Sequence, residues 1–215
     1  MATAHAPIRL YLITDRTQTA GRPLIDVVEA ALHGGVDAVQ VREKDLDARA
    51  RLELARALLP ICRRHGARLL INDRVDVALA AGADGVHLPA TSFACADARR
   101  LVGDRLLIGV STHAVGEIEA AARDGADFAV LGPIYATPSK AAYGAPLGLA
   151  RLAEARQRVV LPVLAIGGID ADDVAAVRQA GATGIAVVRA ICSAADPTRA
   201  ARVLRGDCDG ACNLW

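Results

Sequence analysis

The stretch "HGGVDAVQVREKD", residues 33–45, decides the fold of this chain. It closes the amphipathic segment "LIDVVEAALH" with glycine and passes at once into an apolar run that alternates with polar side chains. A helix ended by a left-handed glycine and followed directly by a strand reads this way. Successive strand side chains point to opposite faces, so Gln40, Arg42 and Lys44 share one face while Val39 and Val41 take the other. If the polar face lines a barrel interior, an anionic group belongs there.

The same pattern recurs as "AAGADGV" at 80–86, "RDGADFA" at 123–129 and "QAGATGI" at 179–185. Between these marks lie eight apolar strand candidates, at 9–14, 37–42, 68–72, 84–88, 106–110, 127–132, 162–167 and 184–188. Each is followed by a segment of helical periodicity, such as "RARLELARALLPICRRH" and "AVGEIEAAARD". Eight βα alternations point to an α/β fold, a closed parallel (β/α)8 TIM barrel. A doubly wound open sheet, the rival, usually carries fewer repeats at this length. With 215 residues, one domain over 1–205 is expected, and 206–215 is expected to be a poorly ordered tail.

A formal charge of +1 and 3% aromatic residues give neither a phosphate-tracking surface nor a base-stacking platform, so nucleic acid is not an expected partner. No cationic segment followed by a long apolar run opens the chain, and no window approaches a membrane span. A cytoplasmic protein without membrane contact is expected, and a homo-oligomer is compatible with the sequence. Five scattered cysteines read as reduced thiols. Cys208 and Cys212 could hold a metal or form a redox pair, but a frayed tail is the favoured reading.

Parallel barrels place their chemistry at the C-terminal strand ends, and the polar residues of this chain collect there. Arg42 and Lys44 suit a phosphate or pyrophosphate, and Lys140 could add a third cation from across the mouth. The alternative is that these cations pair with Glu43, Asp45 or helix carboxylates. "AIGG" at 165–168 and "AVV" at 186–188 end the last two strands, where backbone N–H groups commonly cradle phosphate. Asp73 could hold a divalent cation or cap the following helix. His87 and His113 could carry protons or sit at the rim as structural residues, the structural role being favoured for His87. Ser111 reads as a hydroxyl donor to phosphate, since no ordered base and acid accompany it.

These segments resemble the thiamine phosphate synthase family, which includes a thiazole tautomerase branch. The similarity runs from "LYLITDR" (10–16) through "VQVREKD", "LLINDRVDVALAAGADGVHL", "IGVSTH", "LGPIYATPSK" and "VLAIGGI" to "GIAVVRAI", about residues 9–205. The resemblance implies a phosphate-binding barrel that joins an aminopyrimidine diphosphate to a thiazole phosphate, releasing pyrophosphate with Mg2+. It implies that Gln40, Arg42, Lys44, Asn72, Ser111 and Lys140 hold the pyrimidine diphosphate and that Asp73 binds the metal. Thr137 and Ser139 would lie beside the thiazole, with Gly168, Val188 and Arg189 at its phosphate.

The chain departs from the synthase pattern after "GVHL", where "PATS" puts Pro89, Ala90 and Ser92 at the family's Gly, Gln and second metal-binding Asp. This form resembles the tautomerase branch, yet Pro133 stands where that branch has its catalytic His. Synthase is the expected activity. The alternatives are a thiazole phosphate tautomerase using His87 or His113, a non-catalytic phosphate-ligand binding barrel, and a Schiff-base aldolase using Lys44 or Lys140.

Overall fold

The computed structural model describes residues 6–137 and 145–206. Eight strands, β1 (Leu10–Ile13), β2 (Ala38–Val41), β3 (Arg68–Asn72), β4 (Gly85–Leu88), β5 (Leu107–Thr112), β6 (Phe128–Leu131), β7 (Val163–Ile166) and β8 (Gly184–Val187), form one closed barrel in sequence order. Every neighbouring pair is parallel, including β1 with β8, so the open-sheet rival is excluded. Outside it pack α1 (Leu24–His33), α2 (Ala48–Arg64), α3 (Val75–Ala81), α4 (Cys95–Val102), α5 (Val115–Arg123), α6 (Gly148–Arg158), α7 (Val174–Gln179), α8 (Arg189–Cys192) and α9 (Pro197–Arg205). The expected tail lies, apart from Gly206, outside the described residues, as do Cys208 and Cys212.

The repeated glycines do what the pattern requires: Gly35, Gly82, Gly125 and Gly181 all have positive φ. That backbone is strained for a residue with a side chain and turns each helix sharply into its strand. The aspartates of the repeat do more than the turn needs. Asp37 accepts the N–H groups of Arg9 and Leu10, Asp84 that of Leu69, and Asp127 that of Ile108. Each carboxylate thus ties the start of one strand to the start of the preceding one.

Strand alternation divides the apolar residues into two cores. Leu12, Val39, Val41, Ile71, Val86 and Leu131 face the helices. Tyr11, Ile13, Leu70, Phe128, Val130 and Leu164 pack inside the barrel. Above this inner plug, the interior face turns polar toward the C-terminal strand ends. Cys62, Cys95 and Cys192 are buried free thiols, pushed up by burial to about 12, 11 and 11, so they stay protonated and unreactive. Among the described residues no helix is long and apolar enough to cross a membrane.

Candidate active site

The interior positions of β2 to β5 supply the floor of the site. Gln40 is 1% exposed and donates from Nε2 to Asn72 Oδ1 at 3.1 Å. His87 is 2% exposed, with Nε2 2.9 Å from Ser111 Oγ. Register explains the assembly, because Asn72 stands opposite His87 and His87 opposite Gly109, two residues before Ser111. Gly109 has to lack a side chain here, since a Cβ would lie 2.8 Å from His87 Nδ1 and 2.3 Å from the Phe128 ring.

Three buried polar atoms on this floor have no hydrogen-bond partner: Tyr11 Oη, Gln40 Oε1 and His87 Nδ1. The Tyr11 ring lies 5.9 Å from His87 and 5.7 Å from Phe128, edge-on to the latter. Unpaired buried polar groups are costly, so three together are a polar layer that the apolar plug below them does not compensate. Tyr11 went unnoticed in the sequence, although its place in "LYLI" puts a phenol on the same interior face as Ile13.

His87 is also not the rim residue that the sequence suggests, because it lies within β4 inside the barrel. Burial, reinforced by the Arg42 guanidinium, pushes its imidazole down to about 3. It is therefore neutral near pH 7 and is no proton carrier there. His113 is exposed, and its Nδ1 is 2.6 Å from the Gly132 carbonyl, which only accepts; the proton must be on Nδ1.

Arg42 follows β2 directly, is half-buried, and forms no ion pair among the described residues. Its charge is felt nearby at Asp15. Burial alone raises that carboxyl, but hydrogen bonds from Thr17 and Gln18 together with Arg42 outweigh it, and Asp15 ends below its usual range. Glu43 and Asp45, named as alternative partners of the cations, both bind Arg16. The common strand face extends only as far as Arg42. β2 ends at Val41, and Lys44 lies in an exposed turn.

Asp73 follows β3 with φ of 67°, left-handed backbone that is strained for a residue with a side chain. It does not cap the next helix, since α3 begins after Arg74 with no side-chain cap. Asp73 instead lines a cavity of about 620 Å3 between α3 and α4, together with Thr91, Ser92 and Phe93. This cleft does not include Gln40, Arg42, His87 or Ser111, so it adjoins the polar floor rather than containing it. Ser92 Oγ is buried without a partner. No cluster of three His, Cys, Asp or Glu residues able to hold a metal occurs among the described residues. A carboxylate and a hydroxyl residue lining one cavity are oxygen donors of the hard type that Mg2+ prefers, and to that extent the residues fit the ion.

The opposite side of the mouth is made of backbone. Gly167 and Gly168 follow β7 with φ of 98° and 66°. A Cβ on Gly168 would lie 2.6 Å from the Ala136 carbonyl oxygen and 2.8 Å from Tyr135 Cβ, so residues 135 and 136 cover this turn. Tyr135 N–H donates to the Gly167 carbonyl at 2.9 Å and Ile134 N–H to that of Ile166 at 2.8 Å, which pins the loop after β6 to the end of β7. Val188 ends the β8 side, packed against the inner core, and Arg189 opens α8. Ser139 and Lys140 lie outside the described residues.

The family pattern described as thiamine monophosphate synthase matches residues 10–191. A protein of Geobacter sulfurreducens is 54% identical over 201 residues, 94% of each chain. The thiamine-phosphate synthase of Roseiflexus castenholzii is 48% identical over 94% of this chain and 87% of its own. Among solved structures, thiamine phosphate pyrophosphorylase from Pyrococcus furiosus superposes with a TM-score of 0.85 at 35% identity, over 93% of this chain and 94% of that one. With its closed barrel and the strand-end residues just described, the chain belongs to the thiamine monophosphate synthase family.

Proposed function

We infer that this chain is a thiamine phosphate synthase, joining an aminopyrimidine diphosphate to a thiazole phosphate with release of pyrophosphate, in the cytoplasm and with Mg2+. The observation that carries this reading is Arg42, which forms no ion pair among the described residues and stands at the end of the strand face that holds the buried Gln40–Asn72 and His87–Ser111 pairs. A flat heteroaromatic ring with nitrogen donors and acceptors rests on this floor, where Asn72 fixes the Gln40 amide. Its diphosphate then projects toward Arg42.

Breaking the C–O bond to pyrophosphate puts negative charge on the leaving group and positive charge on the pyrimidine methylene. Arg42 and Lys44, with Ser111 as a hydroxyl donor and Lys140, stabilise the developing anion. A neutral His87 suits this role, because it orients Ser111 without adding a charge or taking up a proton. The thiazole nitrogen captures the methylene carbon, so no protein nucleophile is needed. Thr137 and Ser139 flank the thiazole, and the backbone at Gly168 and Val188 with Arg189 holds its phosphate. Asp73, with Ser92 beside it, would hold Mg2+, which when bound neutralises diphosphate oxygens.

A tautomerase working through His87 requires that imidazole to exchange protons near neutrality, and burial prevents it, which leaves His113 as the histidine that reading would need. The test is a coupled pyrophosphate-release assay on purified protein with both substrates, with and without Mg2+. Metal-dependent release that requires both substrates, with thiamine phosphate identified by mass, is expected. Isomerisation of the thiazole without pyrophosphate release would overturn the assignment.

A further inference from the structure

Glu43 sits in sequence between the two cations of the leaving-group site, and the reaction just described gives it no task. It is only 2% exposed, and a buried carboxylate has to be compensated. Its Oε1 accepts from Thr14 Oγ1 at 2.6 Å. Its Oε2 accepts from the Arg16 backbone N–H at 3.1 Å and from Arg16 Nη1 at 3.2 Å. Arg16 also forks onto Asp45, so the carboxylates on both sides of Lys44 are engaged before any ligand arrives.

Thr14 converts this anchor into a constraint on Arg42. The hydroxyl is fully buried and has one hydrogen, which goes to Glu43 because a carboxylate only accepts. Its lone pair therefore faces the Arg42 backbone N–H, 3.0 Å away. The contact lies where the sheet stops: Ile13 opposite Gln40 is the last register pair of β1 with β2, and Thr14 N–H to the Gln40 carbonyl is the last rung. Beyond that rung, Thr14 sets the direction of the peptide that carries Arg42.

We propose that Thr14, Glu43 and Arg16 form a positioning relay that aims the Arg42 guanidinium into the diphosphate site. None of the three touches substrate; they act through Arg42, and the inference rests on reading Arg42 as a diphosphate ligand. Aiming matters because a cation stabilises a leaving group only if it is in place before the charge develops.

The experiment titrates inorganic pyrophosphate calorimetrically into the wild type and four variants, with steady-state kinetics alongside. Thr14→Val keeps the volume and deletes both hydrogen bonds; Thr14→Ser keeps them. Thr14→Val is expected to weaken pyrophosphate about five- to tenfold, the worth of one buried hydrogen bond, and to lower kcat while leaving KM for the thiazole phosphate unchanged. Thr14→Ser should restore both, and Arg16→Met should shift affinity the same way by less. Arg42→Ala serves as the reference. If Arg42→Ala weakens pyrophosphate and folded Thr14→Val does not, the relay is wrong and the ligand role of Arg42 stands. If Arg42→Ala binds like the wild type, both fall. Should Thr14→Val not fold, Arg16→Met decides, since Arg16 lies at the surface, and wild-type affinity there overturns the relay.

Discussion

Across the barrel mouth, the ends of β2 to β5 present side chains, whereas the ends of β7 and β8 present backbone. On the first side Gln40, Arg42, Asn72, His87 and Ser111 converge with unsatisfied polar atoms among them. On the second, two left-handed glycines let the loop after β6 pack directly on the turn after β7, and α8 starts next to it. The first side is lost by removing atoms, and the second by adding them.

That contrast is the most direct thing to break. Arg42→Ala should lower kcat about 100-fold or more, because leaving-group stabilisation is realised in the transition state, with little change in melting temperature. Gly168→Ala should instead raise KM for the thiazole phosphate about tenfold, since a Cβ near the Ala136 carbonyl closes the turn and a positive φ adds strain. Steady-state kinetics with each substrate varied in turn check both. The opposite assignment of effects, Arg42 acting on the thiazole and Gly168 on the diphosphate, would reverse the picture of the mouth.

The same contrast explains what was legible in the sequence. The barrel could be read because each helix–glycine–strand repeat is local, and the strands fall within two residues of their expected positions. Gln40 and Arg42 could be read because alternation along a strand is also local. Lys44 exceeded that logic, since β2 ends at Val41 and alternation has no meaning in a turn. Asp37, Asp84 and Asp127 open expected strands, but their tie to the preceding strand could not be read because the partners are remote in sequence. Glu43 looked like a competitor for the cations, and only the fold brings Thr14 and Arg16 against it. Backbone strain at Asp73 has no sequence signature at all, because side chains seldom adopt that conformation and aspartate is not reserved for it.

A smaller effect sharpens the account of the polar floor. The His87 imidazole titrates near 6.5 in an unfolded chain and near 3 when folded, pushed down first by burial and then by Arg42. The unfolded state therefore binds a proton that the folded state refuses. The stability contributed is complete above about pH 6.5 and is lost as pH falls toward 3. Between pH 6.5 and 5, above the range of ordinary carboxylates, the loss should be about 1.5 kcal/mol by linkage. Urea midpoints at the two pH values measure it, and His87→Gln should flatten the slope. An equal slope in the variant would mean that water reaches the imidazole and that the floor is not sealed. The pH–rate profile should likewise show no limb from His87 above pH 5.

The smallest effect concerns the junction of the polar floor with the cleft between α3 and α4, where Asp73 and Ser92 line one cavity. Ser92→Asp adds a second carboxylate near Asp73. Arg74 is forked onto Asp76, so it is already engaged and does not capture the new charge. Two carboxylates bind a hard cation better than one, so affinity for Mg2+ alone should rise about tenfold. With pyrophosphate present the gain should shrink, because phosphate oxygens fill the positions that the protein leaves open. Calorimetric Mg2+ titrations with and without pyrophosphate separate the two cases. A gain only without pyrophosphate means that the native hydroxyl suffices because the diphosphate completes the metal's shell. Unchanged affinity in both would mean that the loop after β4 does not face the ion, leaving any carboxylate contact to Asp73 and to Asp76, which lines the same cavity but is engaged by Arg74.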